Sequence, residues 1–233
     1  MDLPFIYKYQ PMFLQDFEMD DKLLELIQIL IKMDNLNILF VGNSGCGKTS
    51  LITAIIRDYY DNMNYKDNVL YINTLKDQGI SYYRNEVKTF CQTSTNIVGK
   101  KKIIILDDLD VINEQSQQVF RNFIDKYSHN VHFIASCTNT NKVIESIQSR
   151  MSTTKIKALH TANLSKILKR ICKIENISVE QEAEDFILSI SNNSVRIMIN
   201  YLEKFKLLSS NITLDIAISV CTNISFRDFE SYT

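Results

Sequence analysis

The chain is poor in glycine and proline, with 5 and 2 among its 233 residues. Its five cysteines (Cys46, Cys91, Cys137, Cys172, Cys221) form no C-x-x-C pair. They are odd in number and widely spaced, and the three histidines make no metal-ligand spacing with them. That excludes a disulfide framework or thiolate metal site on pattern grounds and leaves reduced, partly buried thiols in an intracellular protein. No apolar run approaches the ~20 residues of a membrane span, so no membrane partner is expected. The N-terminus, Met1-Asp2-Leu3-Pro4-Phe5, lacks a basic stretch before an apolar one, which argues against secretion. Charge is also missing as a signal: 26 Lys and Arg against 27 Asp and Glu leave a net charge of −1. Any nucleic-acid contact must therefore come from a local basic surface. There is no internal repeat and no low-complexity segment. What remains, 45% hydrophobic and 23% charged residues, is ordinary for a globular chain with room for one large domain or two smaller ones.

Against that scarcity, three of the five glycines fall within six residues, in Gly42-Asn43-Ser44-Gly45-Cys46-Gly47-Lys48-Thr49-Ser50. The pattern G-x-x-x-x-G-K-[ST] follows the apolar run Asn37-Ile38-Leu39-Phe40-Val41 and precedes a helical pattern, Leu51 to Ile56. This is the strand, loop and helix context of a phosphate-binding loop. Glycines let successive backbone N–H groups turn inward on phosphates, and the following helix aims its positive dipole end at them. Lys48 can reach the β- and γ-phosphates of ATP, and the Thr49 hydroxyl can ligate Mg2+. Cys46, inside the loop, is expected to be open to alkylating reagents.

Taken in order, the chain begins with an extended piece, Tyr7 to Pro11, in which Pro11 keeps its predecessor out of helix. A helix from Asp21 to Lys32 is apolar on most sides and should be largely buried. After the phosphate loop come a strand at 68–73, a turn at Gly79 and a helix from about 81 to 91. The run Ile103-Ile104-Ile105-Leu106-Asp107 reads as a central parallel strand buried on both faces. Asn113 can cap a helix reaching Tyr127. A strand follows at 132–137, and a weak fifth at 155–158. Strands alternating with helices predict an α/β fold with an open parallel five-stranded sheet. From Leu159 only helices are legible: 162–174, one opening at Ser178 as a capping box with Gln181, 194–207 and 213–220. The predicted domains are therefore an α/β nucleotide domain, 1–158, and a small all-helical domain, 159–233.

A second carboxylate motif ends the central strand. Asp107 at its C-terminal edge can hold Mg2+ opposite the phosphate loop, and Asp108 can orient an attacking water.

At this point the chain resembles a known family. Leu106-Asp107-Asp108-Leu109-Asp110 is similar to the LDEAD-type box of clamp-loader ATPases. Glu114, Gln117, Arg121, Lys126 and Tyr127 fall where small subunits of replication factor C place the same residues. Val69-Leu70 through Asn73, then Gly79-Ile80, Arg84, Lys88 and Phe90, resemble a further segment of that family. Phe133-Ile134 through Cys137, with Asn141-Lys142, resembles its sensor 1 strand, and Ser149-Arg150-Met151 its SRC box. Ser191 to Arg196 resembles its sensor 2 segment, and Tyr7 to Pro11 the N-terminal segment beside the adenine. The resemblance implies an AAA+ P-loop NTPase with a helical lid, acting as an ATP-dependent loader of a sliding clamp onto primer–template DNA. It also implies partner subunits in a hetero-oligomeric, pentameric ring. In that reading Gly42 to Ser50, Tyr9 and Pro11 bind nucleotide. Thr138 and Arg196 sense the γ-phosphate in cis, Arg150 serves a neighbour's site in trans, and Arg84 and Lys88 track the DNA backbone. Location would be intracellular: the nucleus of a eukaryote or the replication compartment of a DNA virus. Heavy use of Ile, Asn and Lys suggests an AT-rich genome.

Departures from the family pattern sharpen the expectation. Asp108 stands where Glu is usual, one methylene shorter, and setting a catalytic carboxylate about 1 Å back can cost about a hundredfold in rate. Thr138 replaces an Asn, and Gln10, Gln78 and Asn122 replace arginines. Family small subunits carry a C-terminal helical collar, so the sequence either lacks it or is a fragment. Three alternatives stay open: a subunit that binds nucleotide without hydrolysing it, another AAA+ replication ATPase such as an initiator, and a small P-loop phosphotransferase. For Arg84 and Lys88 the alternative is a solvated helix face, since basic residues four apart are common.

Overall fold

The computed structural model describes residues 3–61, 63–72, 83–208 and 211–221. In chain order the elements are α1 (Phe5–Lys8), α2 (Asp21–Lys32), β1 (Ile38–Val41), α3 (Lys48–Tyr59), β2 (Val69–Ile72) and α4 (Lys88–Gln92). They continue with β3 (Lys102–Leu106), α5 (Glu114–Tyr127), β4 (Val131–Cys137), α6 (Glu145–Gln148) and β5 (Ser152–Lys155). The remainder is α7 (Thr161–Glu175), β6 (Ser178–Val179), α8 (Gln181–Ile190), α9 (Val195–Leu208), β7 (Asn211–Ile212) and α10 (Leu214–Val220). The expected turn at Gly79, with Asn73, Gln78 and Ile80, lies outside the described residues.

Two compact units result. One contains Pro11 to Lys157; the other joins the segment before Pro11 to the chain from Ala158 onward. In the first, β1 to β5 form a parallel sheet in the order β2-β3-β4-β1-β5. Alternation along the strands divides the core. Ile38, Phe40, Ile103, Ile105 and Ile134 pack with Leu51, Ile52, Ile55 and Ile56 of α3 on one face. Leu39, Ile104, Leu106, Phe133 and Ala135 pack with Phe120, Phe123 and Ile124 of α5 on the other. Successive strand residues point to opposite faces, so a sheet covered by helices on both sides needs continuous apolar runs. Each buried Leu, Ile or Phe among them contributes about 1.5–3 kcal/mol. Asn113 caps α5 as expected, accepting from the Ser116 N–H at 2.9 Å.

Several expectations fail locally. In α2 only Ile27 is buried; Leu26 and Ile29 are 43% and 51% exposed, so abundance of apolar residues did not mean burial there. The fifth strand is the polar Ser152-Thr153-Thr154-Lys155, an edge strand pairing with β1, three residues before the apolar stretch that suggested it. The expected helix over 81–91 begins instead as a π-type turn over Tyr83–Val87 before α4.

In the second unit the N-terminal piece is not extended: α1 packs with α9. The Phe5 N–H donates to Glu203 Oε1 at 3.1 Å, Lys8 Nζ sits 2.5 Å from Glu175 Oε1, and the Tyr9 hydroxyl donates to the same carboxylate. These bonds group the N-terminal residues with the helical unit, whereas the sequence reading placed them with the α/β portion. Ser178 does not cap a helix. It pairs with Asn211 in the parallel β6–β7 ribbon, and α8 starts only after Glu180. All five cysteines are free and buried. Burial pushes the Cys91 thiol up to about 12 and those of Cys137, Cys172 and Cys221 up to about 11.

Candidate functional site: a phosphate loop facing paired carboxylates

The loop after β1 runs at the C-terminal edge of the sheet, where open α/β sheets bind ligands. Two glycines are required there by geometry. A Cβ on Gly42 would stand 2.7 Å from the Ile156 carbonyl oxygen and 2.8 Å from Cys46 Sγ. Gly47, the N-cap of α3, has φ +95°, a left-handed conformation that favours glycine. Lys48 is 6% exposed and donates to the carbonyls of Gly42 and Asn43 at 2.8 and 3.1 Å. Its charge is thus parked on the loop it would defend. Cys46, expected to be accessible, is 4% exposed: its sulfur fills the space against Gly42.

β3 delivers the carboxylates. Thr49 Oγ donates to Asp107 Oδ2 at 2.8 Å, bringing together the two expected metal-binding residues from positions 58 apart. Ser136, fully buried in β4, donates to Asp107 Oδ1 at 2.5 Å and accepts from the Asp108 N–H at 3.0 Å. One hydroxyl therefore sets both acids. Sequence reasoning passed over Ser136; the available signal was a hydroxyl in the otherwise apolar strand Phe133 to Cys137. Asp108 adopts a left-handed conformation, φ 54° and ψ 51°, uncommon for a residue with a side chain. Asp and Asn tolerate it better than other side chains, and Asp34, Asp61, Asn176, Asn192 and Asn193 share its positive φ elsewhere in the chain.

Beside this pair, Thr138 follows β4 directly and is exposed. Its hydroxyl donates to Asp110 Oδ2 at 2.6 Å, and the same oxygen accepts from the N–H groups of Thr138 and Asn139 at 3.1 and 3.0 Å. The loop beyond is held by Gln117, fully buried, whose amide donates to the carbonyls of Ile112 and Lys142 at 2.8 Å and accepts from the Ile144 N–H at 2.9 Å.

The remaining expected residues occupy separate settings. Arg150 lies after α6, where its Nε donates to Asp125 Oδ1 at 2.5 Å and its Nη1 to the Ser146 carbonyl at 2.7 Å. The Arg150 guanidinium holds the Asp125 carboxyl below its ordinary value. Arg84 and Lys88 are exposed, flanking the fully buried Val87. Tyr9 belongs to the helical unit, bonded to Glu175, and Pro11 opens the α/β unit. Arg196 is exposed in the first turn of α9.

A family model described as "ATPase family associated with various cellular activities (AAA)" matches residues 38–158, the stretch from β1 to the end of the α/β unit. The fold agrees: a solved Thermotoga maritima RuvB Holliday junction branch migration motor superposes with TM-score 0.71 at 14% identity, over 91% of this chain and 72% of that one. Loop, paired carboxylates and sheet order thus define an AAA+ P-loop ATPase.

The particular branch follows from closer relatives. The replication factor C small subunit of Methanococcus vannielii is 30% identical over 223 residues, covering 95% of this chain and 70% of that protein. The same subunit of Methanocella arvoryzae is 28% identical over 224 residues, covering 96% and 69%. Matches extend to Acanthamoeba polyphaga mimivirus and Dictyostelium discoideum. The chain belongs to the replication factor C small-subunit family of clamp-loader AAA+ ATPases.

Proposed function

We propose that this chain hydrolyses Mg·ATP as one subunit of a pentameric assembly that loads a ring-shaped clamp on primer–template DNA. The observation that carries the reading is the meeting of Thr49 with Asp107 opposite a built phosphate loop. A hydroxyl and a carboxylate 2.8 Å apart are the hard-oxygen pair that suits Mg2+ held jointly with substrate phosphates and water. No cluster of three or more His, Cys, Asp or Glu suited to a metal occurs among the described residues, and an ion held in this way needs none. When bound, the ion would offset charge building on the β- and γ-phosphates.

The chain's own groups take distinct parts. Lys48 leaves the carbonyls of Gly42 and Asn43 to meet phosphate. Asp108 orients water, with Thr138 beside it, while Arg196 senses the γ-phosphate of its own chain and Arg150 serves a neighbour's. Tyr9 and Pro11 flank the adenine. Arg84 and Lys88 meet DNA phosphates, in the nucleus or in the replication compartment of a virus. No described helix is long and apolar enough to cross a membrane.

Steady-state ATPase, with and without primed DNA and a clamp, tests the reading: stimulation is expected, and absent turnover under all conditions would overturn it. Asp108 is short for its task, so the intrinsic rate should be low. Asp108→Asn should keep ATP bound and remove turnover, and Asp108→Glu should preserve or raise it. Turnover equal to the parent's in both variants would mean that Asp108 does not orient the water; ATP bound by the parent without turnover would favour the second reading, a subunit that binds nucleotide to hold an assembly together. For DNA, reversing charge at Arg84 and Lys88 should weaken binding at all sequences and flatten its salt dependence, because phosphate contacts release counterions without reading bases. An unchanged slope would mean that these cations are only solvated.

A further inference from the structure

Asp110 has no role in the reading above, yet it touches the segment on which that reading depends. Three donors converge on its Oδ2: the Thr138 hydroxyl at 2.6 Å, the Asn139 N–H at 3.0 Å and the Thr138 N–H at 3.1 Å. Its Oδ1 is buried with no hydrogen-bond partner from another residue among those described. Burial by itself would push the Asp110 carboxyl up; the bonds from the Thr138 hydroxyl, from the Asn139 and Thr138 amides and from its own amide outweigh it and hold the group below its ordinary value. Asp110 is then ionised at neutral pH and can only accept.

The polarity of Thr138 follows. A threonine hydroxyl has one proton and two lone pairs. Its proton is committed to Asp110, so Thr138 offers the site an acceptor. A γ-phosphate oxygen is itself an acceptor and finds no donor there, whereas a water molecule can donate. We infer that Asp110 is a positioning residue that fixes the Thr138 hydroxyl as an acceptor, so that Thr138 aligns the attacking water and does not bind the γ-phosphate. This rests on the ATPase reading and revises the γ-phosphate sensing that the family resemblance implies for Thr138. It also bears on the Asn-to-Thr departure: the replacement keeps a working polar group only because a neighbouring carboxylate decides which way its proton points.

The test is a double-mutant cycle on the full chain with Mg·ATP, reading kcat and KM separately. Thr138→Val and Asp110→Ala should each lower kcat by about a hundredfold, the cost of a misplaced reacting group, with KM for ATP within about twofold. The double variant should be no worse than the poorer single one, because the two act through one hydroxyl. Asp110→Asn, which retains an acceptor oxygen, should recover most of the loss seen with Ala. Multiplying single effects, or a raised KM in Thr138→Val with kcat intact, would overturn the inference. Amide hydrogen exchange over 133–142 gives a readout independent of turnover: Asp110→Ala should speed exchange at Thr138 and Asn139. If the wild type hydrolyses no ATP, the ATPase reading fails and with it the catalytic part given to Thr138; unchanged exchange in Asp110→Ala would separately refute the anchoring.

Discussion

The two ends of the sheet in the α/β unit handle polar groups in opposite ways. At the N-terminal ends of the strands, Asp34 gathers a closed network. Its Oδ1 accepts from Tyr59 at 2.7 Å and His132 Nε2 at 2.9 Å, and Lys101 Nζ lies 3.0 Å from Oδ2. His132, 1% exposed, accepts from the Leu36 N–H through Nδ1 at 3.4 Å, so its proton resides on Nε2. The Tyr59 hydroxyl in turn accepts from the Lys101 N–H at 2.8 Å. Every donor there has a lasting acceptor. At the C-terminal ends the bonds are stand-ins: Lys48 on loop carbonyls, Thr49 on Asp107. In the proposed ATPase a phosphate or a cation would displace them. One edge commits its polar residues to a closed network; the other combines fixed bonds, such as those of Ser136 and Asp110, with bonds that the proposed nucleotide would exchange.

The largest effect that would sharpen this contrast is on the exchangeable side. Lys48→Ala should lower ATP affinity by about a hundredfold or more, since a charge-assisted contact of about 3 kcal/mol is lost. The unfolding midpoint should barely move. Equilibrium binding of a fluorescent ATP analogue decides it, and retained affinity would remove the loop from the phosphate site. Next comes Asp34→Ala, which orphans donors on His132, Tyr59 and Lys101. The cost should be about 2 kcal/mol in chemical denaturation, moderated because the Asp34 side chain is 42% exposed and water can replace part of the bonding. Nucleotide affinity should be unchanged; if it falls with stability, the edges are not independent.

The smallest effect is a pH dependence. Burial pushes the His132 imidazole below 6.5, and the Asp34 bond only partly offsets it. The folded state then binds fewer protons than the unfolded one, so this contribution is complete above pH 6.5 and is lost as pH falls from there toward the folded value. Asp34 follows at lower pH. Burial raises its carboxyl, but bonds from His132, Tyr59 and Lys101 hold it below 3.8, and its share disappears as pH falls through that lower value. Denaturation midpoints should decline from pH 7 to 5.5 in the wild type and stay flatter in His132→Gln. A flat wild-type profile would mean that the imidazole titrates alike in both states.

Much of this was legible from local pattern. The phosphate loop, the β3 run and the Asn113 cap depend on neighbours in sequence, and the alternating β and α signals imposed the sheet. What escaped depends on contacts between distant residues. Ser136 matters because β4 lies beside β3, and Asp34 meets His132 across 98 positions. Asp110 was read as part of a motif without a task, because its partner Thr138 is 28 residues away. Ser178 had a valid capping pattern and was claimed instead by Asn211, a tertiary pairing that outranked the local one. In α2 an apolar composition hid which face had a partner.

The buried thiols have a practical corollary. Cys91 and Cys137 report on the α/β unit, and Cys172 and Cys221 on the helical one. With pKa values near 11 to 12 they stay protonated at neutral pH, and the thiolate is the reactive form. A slow alkylating reagent will therefore label each only when its surroundings open. Mass spectrometry of labelled peptides over time would turn the four sulfurs into two clocks, one per unit, timing native-state opening without any inserted probe.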